Sequence, residues 1–252
     1  MKTNEPNNTF IPMPRYQMRK NALLKLLKQE NVHGKKLLEM GYGSGEVFTM
    51  YKDLGLQIYG YDFSELATNY AKSHYAGFAH IFDNESQIKI TKYDYICACE
   101  VLEHIKDDMK TLKKWKSYLK PTGKLIISVP AHARAWGASD VWAGHYRRYE
   151  KSELIDKLSQ EGMRIDLIYN YNFPFGLIFD KLRDMHYAQY ANNPDKKQLF
   201  SNKEDASKRS GVEREFNGMV KFLAQPFFQY PLIKICEPFY NTDLGTDRKS
   251  VV

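Results

Sequence analysis

The sequence predicts an α/β protein with a doubly wound, mostly parallel sheet. Short apolar segments alternate with amphipathic helical segments over the first 173 residues. One apolar segment runs directly into three closely spaced glycines, and the next one ends at an aspartate. This alternation is typical of parallel strands joined by helices that cover both faces of the sheet.

Seven strands are predicted from the apolar segments. They cover residues 35–41, 56–62, 79–83, 93–104, 121–130, 163–173 and 249–252. The segment YDYICACEVLEH, which forms the fourth, is almost entirely apolar until Glu100. A strand that is buried on both faces of a sheet has this composition.

The connecting segments carry helix signals. Helices are predicted at residues 17–30, 45–55 and 151–161, and two more begin after Ser64 and at Asp107. Ser64 is a suitable N-cap because its hydroxyl can accept a hydrogen bond from the first helical turn. Gly55, at the end of the helix predicted at 45–55, and Gly162, after the helix predicted at 151–161, are typical stop signals.

The alternation of strands and helices stops after residue 173. The following residues are apolar and aromatic at both ends and polar between them. We expect residues 174–242 to form a mostly helical insertion that contacts substrate or a second copy of the chain. Residues 1–173 and 243–252 then form the main domain, with the insertion between its last two strands.

Composition narrows the classes of function. The net charge is +7, but the lysines are scattered and no block of five like charges occurs, which favours solvated helix faces over nucleic-acid binding. No apolar run reaches the ~18 residues of a membrane span, and the N-terminus has no signal-peptide core. Cys97, Cys99 and Cys236 have neither metal-ligand spacing nor an even number. A cytoplasmic location is expected.

The stretch LLEMGYGSGEVF points to a ligand. Gly41, Gly43 and Gly45 follow a strand, so a nucleotide-like molecule can lie against a backbone without side chains. Dinucleotide-binding folds use the spacing G-x-G-x-x-G, but residue 46 is a glutamate. Glu39 places a negative charge before the turn, which suits a ligand with an ammonium group better than a pyrophosphate.

Asp62 adds a second signal. It ends the second predicted strand, 21 residues after Gly41. A carboxylate at that position can accept hydrogen bonds from both hydroxyls of a ribose. Together, the glycines and the two carboxylates predict a nucleoside-binding edge.

These motifs resemble those of class I S-adenosylmethionine-dependent methyltransferases, which have a Rossmann-like fold. EMGYGSG is similar to the first motif of that family, and EVLEH is similar to the segment beside the methionine end of the cofactor. FDN is similar to the segment that contacts adenine. The resemblance implies that S-adenosylmethionine binds at Glu39, Gly41, Tyr42, Gly43, Gly45, Asp62, Phe63, Asp83, Asn84, Glu100 and Val101.

A narrower resemblance covers residues 129–154. They resemble a bacterial methyltransferase subgroup with the signature D-x-x-x-G-H-x-R-R-Y, often encoded among genes for surface polysaccharide or secondary-metabolite synthesis. The resemblance implies a small-molecule or glycan acceptor. LGTDRKSVV at the end of the chain is similar to the last strand of the subgroup.

His145 is the candidate catalytic base. It lies in a loop after the fifth strand, and its usual pKa of about 6.5 suits proton transfer from a hydroxyl. The alternative is that His145 only holds the loop in place by hydrogen bonds. Arg147 and Arg148 are candidates for a clamp on an acceptor carboxylate or phosphate, unless one of them pairs with Asp140.

Two further acceptor-side candidates are His104 and Tyr16. His104 follows the fourth strand and either contacts the acceptor or fixes the loop by a hydrogen bond. Tyr16, with Arg19, is placed to fold over the carboxylate of the cofactor. No metal site is predicted, because the other histidines have no ligand spacing.

Three rival functions remain open. A nucleic-acid methyltransferase would explain the basic charge, but the N/D-P-P-aromatic run of exocyclic-amine enzymes is absent after the fourth strand. A nicotinamide-dependent enzyme is disfavoured by the glycine spacing. A non-catalytic S-adenosylmethionine-binding protein would keep the same motifs. The insertion could form a homodimer contact or touch a membrane, although its prolines disfavour a long interfacial helix.

Overall fold

A computed structural model describes residues 14–191, 202–210 and 226–240. Its centre is a five-stranded sheet in the order β3-β2-β1-β4-β5, and all pairs are parallel. The strands are β1 (Lys36–Met40), β2 (Gln57–Tyr61), β3 (Ala79–Phe82), β4 (Tyr93–Cys99) and β5 (Leu119–Ser128). The predicted α/β class with a doubly wound parallel sheet is confirmed.

Helices follow most strands, as the sequence pattern indicates. They are α1 (Pro14–Lys28), α2 (Val47–Asp53), α3 (Glu65–Tyr75), α4 (Asp108–Tyr118), α5 (Ala138–Ala143), α6 (Lys151–Gln160), α7 (Gly176–Ala191), α8 (Lys203–Ser210) and α9 (Pro226–Cys236). Within the described ranges, no helix combines the length and the apolar character needed to cross a bilayer.

Helix caps follow the predicted signals. Ser64 is the N-cap of α3, and its hydroxyl accepts a hydrogen bond from Ala67 N. Asp107 caps α4 in the same way by accepting from Lys110 N at 3.1 Å. Each cap satisfies a backbone donor that has no partner inside its own helix.

The sheet separates two apolar cores, because successive side chains of a strand point to opposite faces. In β1, Leu37 joins the core under α1, α2 and α3, while Leu38 joins the core under α4 and α6. Trp115 of α4 and Leu158 of α6 are almost completely buried in the second core. Helices on both faces explain why most residues of β1 and β4 are buried.

The strand count is a correction, since five strands are found in the described residues and not seven. Residues 163–173, predicted as the sixth strand, run without ladder pairing over the described part of the chain. One reason is that Asn170 N donates to Tyr240 O at 2.8 Å, beyond α9, and not to a neighbouring strand. The predicted seventh strand, 249–252, lies outside the described residues.

The sheet order creates a switch point between β1 and β4. The chain leaves β1 toward β2 and β3 on one side, and β4 and β5 occupy the other side. In open parallel sheets, ligands bind beyond the carboxyl ends of the strands at such a point. The fold therefore places the candidate ligand edge at the loops that follow β1, β2 and β4.

Burial in the central sheet gives a stability prediction. Leu38 is fully buried between β2 and β4, so Leu38→Ala removes packed atoms and leaves a cavity. We expect the free energy of unfolding to fall by about 2–5 kcal/mol in urea denaturation. Leu66→Ala, at a side chain that is 44% exposed, should cost less than about 1 kcal/mol. Equal losses would contradict the assigned core.

Candidate functional site

The turn after β1 has the backbone that its glycines predict. Gly41, Gly43 and Gly45 all have positive φ, at 69°, 56° and 69°. A Cβ on Gly41 would lie 2.6 Å from Val101 Cγ2, and one on Gly45 would lie 2.6 Å from the Tyr75 ring. Packing inside the protein therefore requires two of these glycines, in addition to any ligand.

Asp62 closes this turn from the end of β2. Its Oδ2 accepts a hydrogen bond from Gly43 N at 2.8 Å, and its Oδ1 accepts one from Ser64 N at 2.8 Å. Burial raises the pKa of Asp62, although both backbone hydrogen bonds oppose the shift. A carboxylate has about four lone-pair positions, so each oxygen can still accept a hydroxyl.

Glu39 lies deeper than the sequence indicates. Its carboxylate is buried, and Oε2 accepts a hydrogen bond from Tyr51 OH at 2.6 Å. Burial, together with Cys99, raises the pKa of Glu39 to about 8. A cationic ligand group at this edge would favour the ionised carboxylate.

Four further residues that were predicted to bind the cofactor differ in their surroundings. Tyr42 is buried, and its OH hydrogen-bonds to Thr68. Phe63 beside Asp62 is 47% exposed, so its ring is open to a ligand. After β3, Asp83 pairs with Lys72, and Asn84 caps a short 3-10 helix at 85–90.

The end of β4 contains a strained residue. Glu100 has φ of 60°, a conformation that side chains rarely adopt and that costs about 1–3 kcal/mol. Its amide donates to Ser128 O at 2.8 Å, and its Oε1 accepts from Ser128 Oγ at 3.0 Å. These bonds hold the carboxylate at the switch point, next to Val101 and the first glycine of the turn.

Helix α1 places Tyr16 and Arg19 over this edge. The Arg19 guanidinium lies 5.3 Å from the Tyr16 ring centroid. Burial opposes the charge of Arg19, but Cys99, Glu100 and Tyr171 together raise its pKa. Contact of these two side chains with the carboxylate of a cofactor stays a prediction.

The loop after β5 builds a buried ionic network around Asp140. His145 Nδ1 lies 2.7 Å from Asp140 Oδ1, and Arg148 contacts Oδ2 through Nε at 2.9 Å and Nη2 at 2.8 Å. Gly137 N donates to the same Oδ2 at 2.9 Å. Because Asp140 is fully buried, its charge is compensated by these groups and not by water.

This network fixes the tautomer of His145. A carboxylate that accepts hydrogen bonds from two nitrogens of a guanidinium is ionised and can only accept hydrogen bonds. His145 Nδ1–H therefore donates to Asp140, and the lone pair of the neutral ring is on Nε2. Burial lowers the pKa of His145, although Asp140 opposes the shift, so the ring is neutral at pH 7.

The two arginines of the signature are already engaged within the protein. Arg148 pairs with Asp140, as the alternative predicted, and its side chain is 1% exposed. Arg147 Nη1 lies 2.8 Å from Asp108. The structure therefore does not support the expected clamp on an acceptor anion, because both guanidiniums hold the loop.

His104 lies beside His145 and contacts the insertion. The two rings are edge to face, with centroids 4.6 Å apart, and His104 Nδ1 is hydrogen-bonded to Ser207 Oγ of α8 at 2.9 Å. Trp142 of α5 stacks on Tyr187 of α7 with centroids 4.2 Å apart. Helices α7 and α8, from the region predicted as an insertion, thus pack against α5 and His104, next to the loop that carries His145.

Sequence reasoning missed three partners in this site. Asp140 was considered only as a partner of an arginine, although its place five residues before His145 could have indicated a carboxylate–imidazole pair. Glu103, which is completely buried, belongs to the EVLEH motif and was not singled out. Tyr51, the partner of Glu39, had no sequence signal.

Comparison with known proteins decides the family. A sequence model described as methyltransferase domain matches residues 14–167, which include the glycine turn and the Asp140 network. This chain belongs to that methyltransferase family. The family and the fold together make it an S-adenosylmethionine-dependent methyltransferase. Membership of the narrower signature subgroup stays a prediction.

Relatives of this methyltransferase are distant. The ubiquinone biosynthesis O-methyltransferase of Idiomarina loihiensis is 24% identical over 173 residues, which are 61% of this chain and 69% of that protein. Over eight such curated relatives, the match spans 57% to 72% of their own length.

Solved structures confirm the fold of the methyltransferase. The YcgJ protein of Bacillus subtilis is 13% identical with a TM-score of 0.54, covering 81% of this chain and 92% of that one. Magnesium protoporphyrin IX methyltransferase from Synechocystis PCC 6803, solved with bound S-adenosylmethionine, is 18% identical with a TM-score of 0.51 and coverages of 67% and 80%.

The Asp140 network predicts a specific pH dependence of stability. Burial alone would raise the pKa of Asp140, but His145 and Arg148 outweigh it and lower the pKa well below its usual range. A lowered folded-state pKa contributes stability above the unfolded pKa of about 3.9 and loses it as pH falls further. Asp140→Asn should therefore cost about 3–5 kcal/mol at pH 7.

The destabilisation caused by Asp140→Asn should become smaller below about pH 4. At that pH the wild-type protein also loses the stability that the ionised Asp140 carboxylate contributes. Urea denaturation at several pH values measures the difference. Asp166→Asn, at a side chain that is 44% exposed, is the control and should change little. A pH-independent cost for Asp140→Asn would show that the charge of Asp140 is not what stabilises the loop.

Proposed function

We propose that this methyltransferase transfers a methyl group from S-adenosylmethionine to a hydroxyl oxygen of a small molecule or glycan, with His145 as the residue that takes the proton. The observation that carries the proposal is the Asp140–His145 pair. It holds a neutral imidazole next to the β4 edge, within the electrostatic influence of Glu100.

The cofactor edge fits this role in its donors and acceptors. Asp62 has lone pairs left for ribose hydroxyls, and Gly41, Gly43 and Gly45 present backbone without side chains. Glu39 and Arg19 supply opposite charges for the ammonium and carboxylate of the methionine part. When bound, S-adenosylmethionine supplies an electrophilic methyl group on a sulfonium.

His145 then needs only to remove the hydroxyl proton. Its Nε2 would accept the proton as the acceptor oxygen takes up the methyl group that S-adenosylmethionine would supply, with S-adenosylhomocysteine as the leaving group. Asp140 stabilises the imidazolium that results, because its carboxylate remains ionised. Arg148 keeps that carboxylate in place.

The acceptor side is proposed to involve the insertion. Arg183 of α7 influences the pKa of His145 and shares Asp180 with Arg15 of α1. The stacked rings of Trp142 and Tyr187 add an aromatic surface on the same side. A hydroxylated ring suits this environment, and the names of the curated relatives, which are O-methyltransferases, support oxygen as the accepting atom.

Asp62 gives a test of the cofactor edge. Asp62→Ala removes both the ribose acceptor and the bond to Gly43 N. We expect the dissociation constant for S-adenosylhomocysteine to rise at least about tenfold in calorimetric titration, which corresponds to about 1.4 kcal/mol. Asp53→Ala, on the exposed end of α2, should leave the dissociation constant unchanged. Unweakened binding by a folded Asp62→Ala protein would place the ribose elsewhere.

His145→Gln separates catalysis from loop structure. Loss of a general base should lower kcat by about 10²–10⁴-fold toward hydroxylated aromatic or sugar acceptors and leave the affinity for S-adenosylhomocysteine intact. The wild-type kcat should fall at acid pH, through a pKa below the usual value near 6.5, and the variant should lose this step. His33→Gln, at an exposed residue, is the control. A variant with unchanged kcat would leave His145 a structural residue.

A further inference from the structure

The loops after β4 and α5 bring three metal-ligand side chains together. Glu103, His104 and His145 each contribute one potential ligand atom, and these atoms all lie within 4.8 Å of one another. Glu103 and His104 are adjacent in sequence, while His145 lies in the signature loop. The spacing along the chain therefore gave no indication of a site that folding creates.

The separation of Glu103 and His145 is informative. His145 Nε2 lies 3.9 Å from Glu103 Oε1, which is too far for a direct hydrogen bond. Two ligands that each bind one ion at ~2.0–2.2 Å are about 3.3 Å apart around a tetrahedral centre. Because the ligand atoms lie within 4.8 Å of one another, the side chains need to close by about 1.5 Å or less to share a cation.

Burial favours a cation at this position. The side chain of Glu103 is completely buried, and that of His145 is 9% exposed. A cation bound to this carboxylate would compensate its charge in surroundings that water does not reach. His104 is only partly buried, so an ion has a way in from solvent.

The outer groups are those of a metal site. Metal-bound histidines usually donate their other ring N–H to a carboxylate, which orients the ring and makes the ligand nitrogen more basic. His145 makes this bond to Asp140 at 2.7 Å, and Arg148 holds Asp140 from the far side. The hydrogen bond between His104 and Ser207 fixes the second ring.

We propose that Glu103, His104 and His145 bind one divalent cation of the borderline class, such as Zn²⁺, Mn²⁺ or Co²⁺. Two imidazoles and one carboxylate suit these ions, whereas Mg²⁺ prefers oxygen ligands. Three protein ligands leave coordination positions open for a substrate group. The site faces the acceptor side of the methyltransferase, so the hydroxyl of the acceptor is the group that would fill one.

This inference rests on the proposed methyl transfer to a hydroxyl oxygen and changes the role of one residue in it, because His145 then binds the cation and no longer acts as the base. With the ion in place, His145 Nε2 holds the cation and does not itself take the proton. The cation lowers the pKa of the bound hydroxyl, as it does for bound water. The proton passes to solvent, and the remaining oxygen anion attacks the methyl group.

Metal binding is measured directly on the untagged full-length chain without cofactor. Co²⁺ is titrated into metal-free protein and followed by calorimetry and by visible absorption. We expect one Co²⁺ per chain, displaced by Zn²⁺ and not by millimolar Mg²⁺. Glu103→Gln and His104→Gln should each raise the dissociation constant at least about tenfold, whereas His132→Gln, which alters a histidine paired with Glu150, should not.

The spectrum also separates this site from a second cluster, formed by Glu39, Cys97 and Cys99. Cobalt on those thiols would give an intense near-ultraviolet charge-transfer band, and such a band, lost in Cys99→Ser, would overturn the assignment. Absence of stoichiometric binding would overturn it as well, as would binding unchanged in both ligand variants. S-adenosylhomocysteine binding is measured on the same samples, so loss of the metal inference alone leaves the proposed function standing with His145 as the base.

Discussion

The site depends on the buried carboxylate of Asp140. One oxygen orients His145, and the other binds Arg148 and the amide of Gly137, the residue before α5. These buried groups depend on one another, since a buried ion that loses its partner destabilises the folded protein by several kcal/mol. The signature loop is therefore a unit in which geometry, protonation state and stability are set by one side chain.

Strand β4 links this loop to the cofactor edge. At its carboxyl end, Glu100 takes a strained backbone conformation and Val101 packs against Gly41 of the turn. Two residues further on, Glu103 and His104 meet the signature loop. A single tight bend thus places Glu100 beside the glycine turn and Glu103 and His104 beside the signature loop, so that under the proposed function the two reactants would meet at one edge of the sheet.

Sequence patterns were sufficient for the parallel order of the sheet and for the backbone of the glycine turn, because these depend on local rules. Strand burial, helix caps and the positive φ of glycines are determined by residues close in sequence. Asp62 and the turn therefore lie at the expected strand ends. The partners of buried charges are not local. Tyr51 beside Glu39, and Glu103 beside His145, are contacts that only packing of distant segments creates.

The strand count failed for a related reason. Residues 163–173 have an apolar pattern that suits a strand, yet a strand requires a neighbour, and Asn170 is paired beyond α9 instead. The two arginines of the signature show the same limit, because a guanidinium that would suit an acceptor anion also suits a buried aspartate. A sequence pattern gives the chemical type of a side chain but not the residue with which that side chain pairs.

The measurement that tests the central claim most directly is calorimetric titration of the wild-type protein with S-adenosylhomocysteine, compared with NAD. The glycine turn, Glu39 and Asp62 predict one site of micromolar affinity for S-adenosylhomocysteine and no heat with NAD. Binding of NAD, or no binding of S-adenosylhomocysteine to folded protein, would contradict the assignment of this edge as the cofactor site.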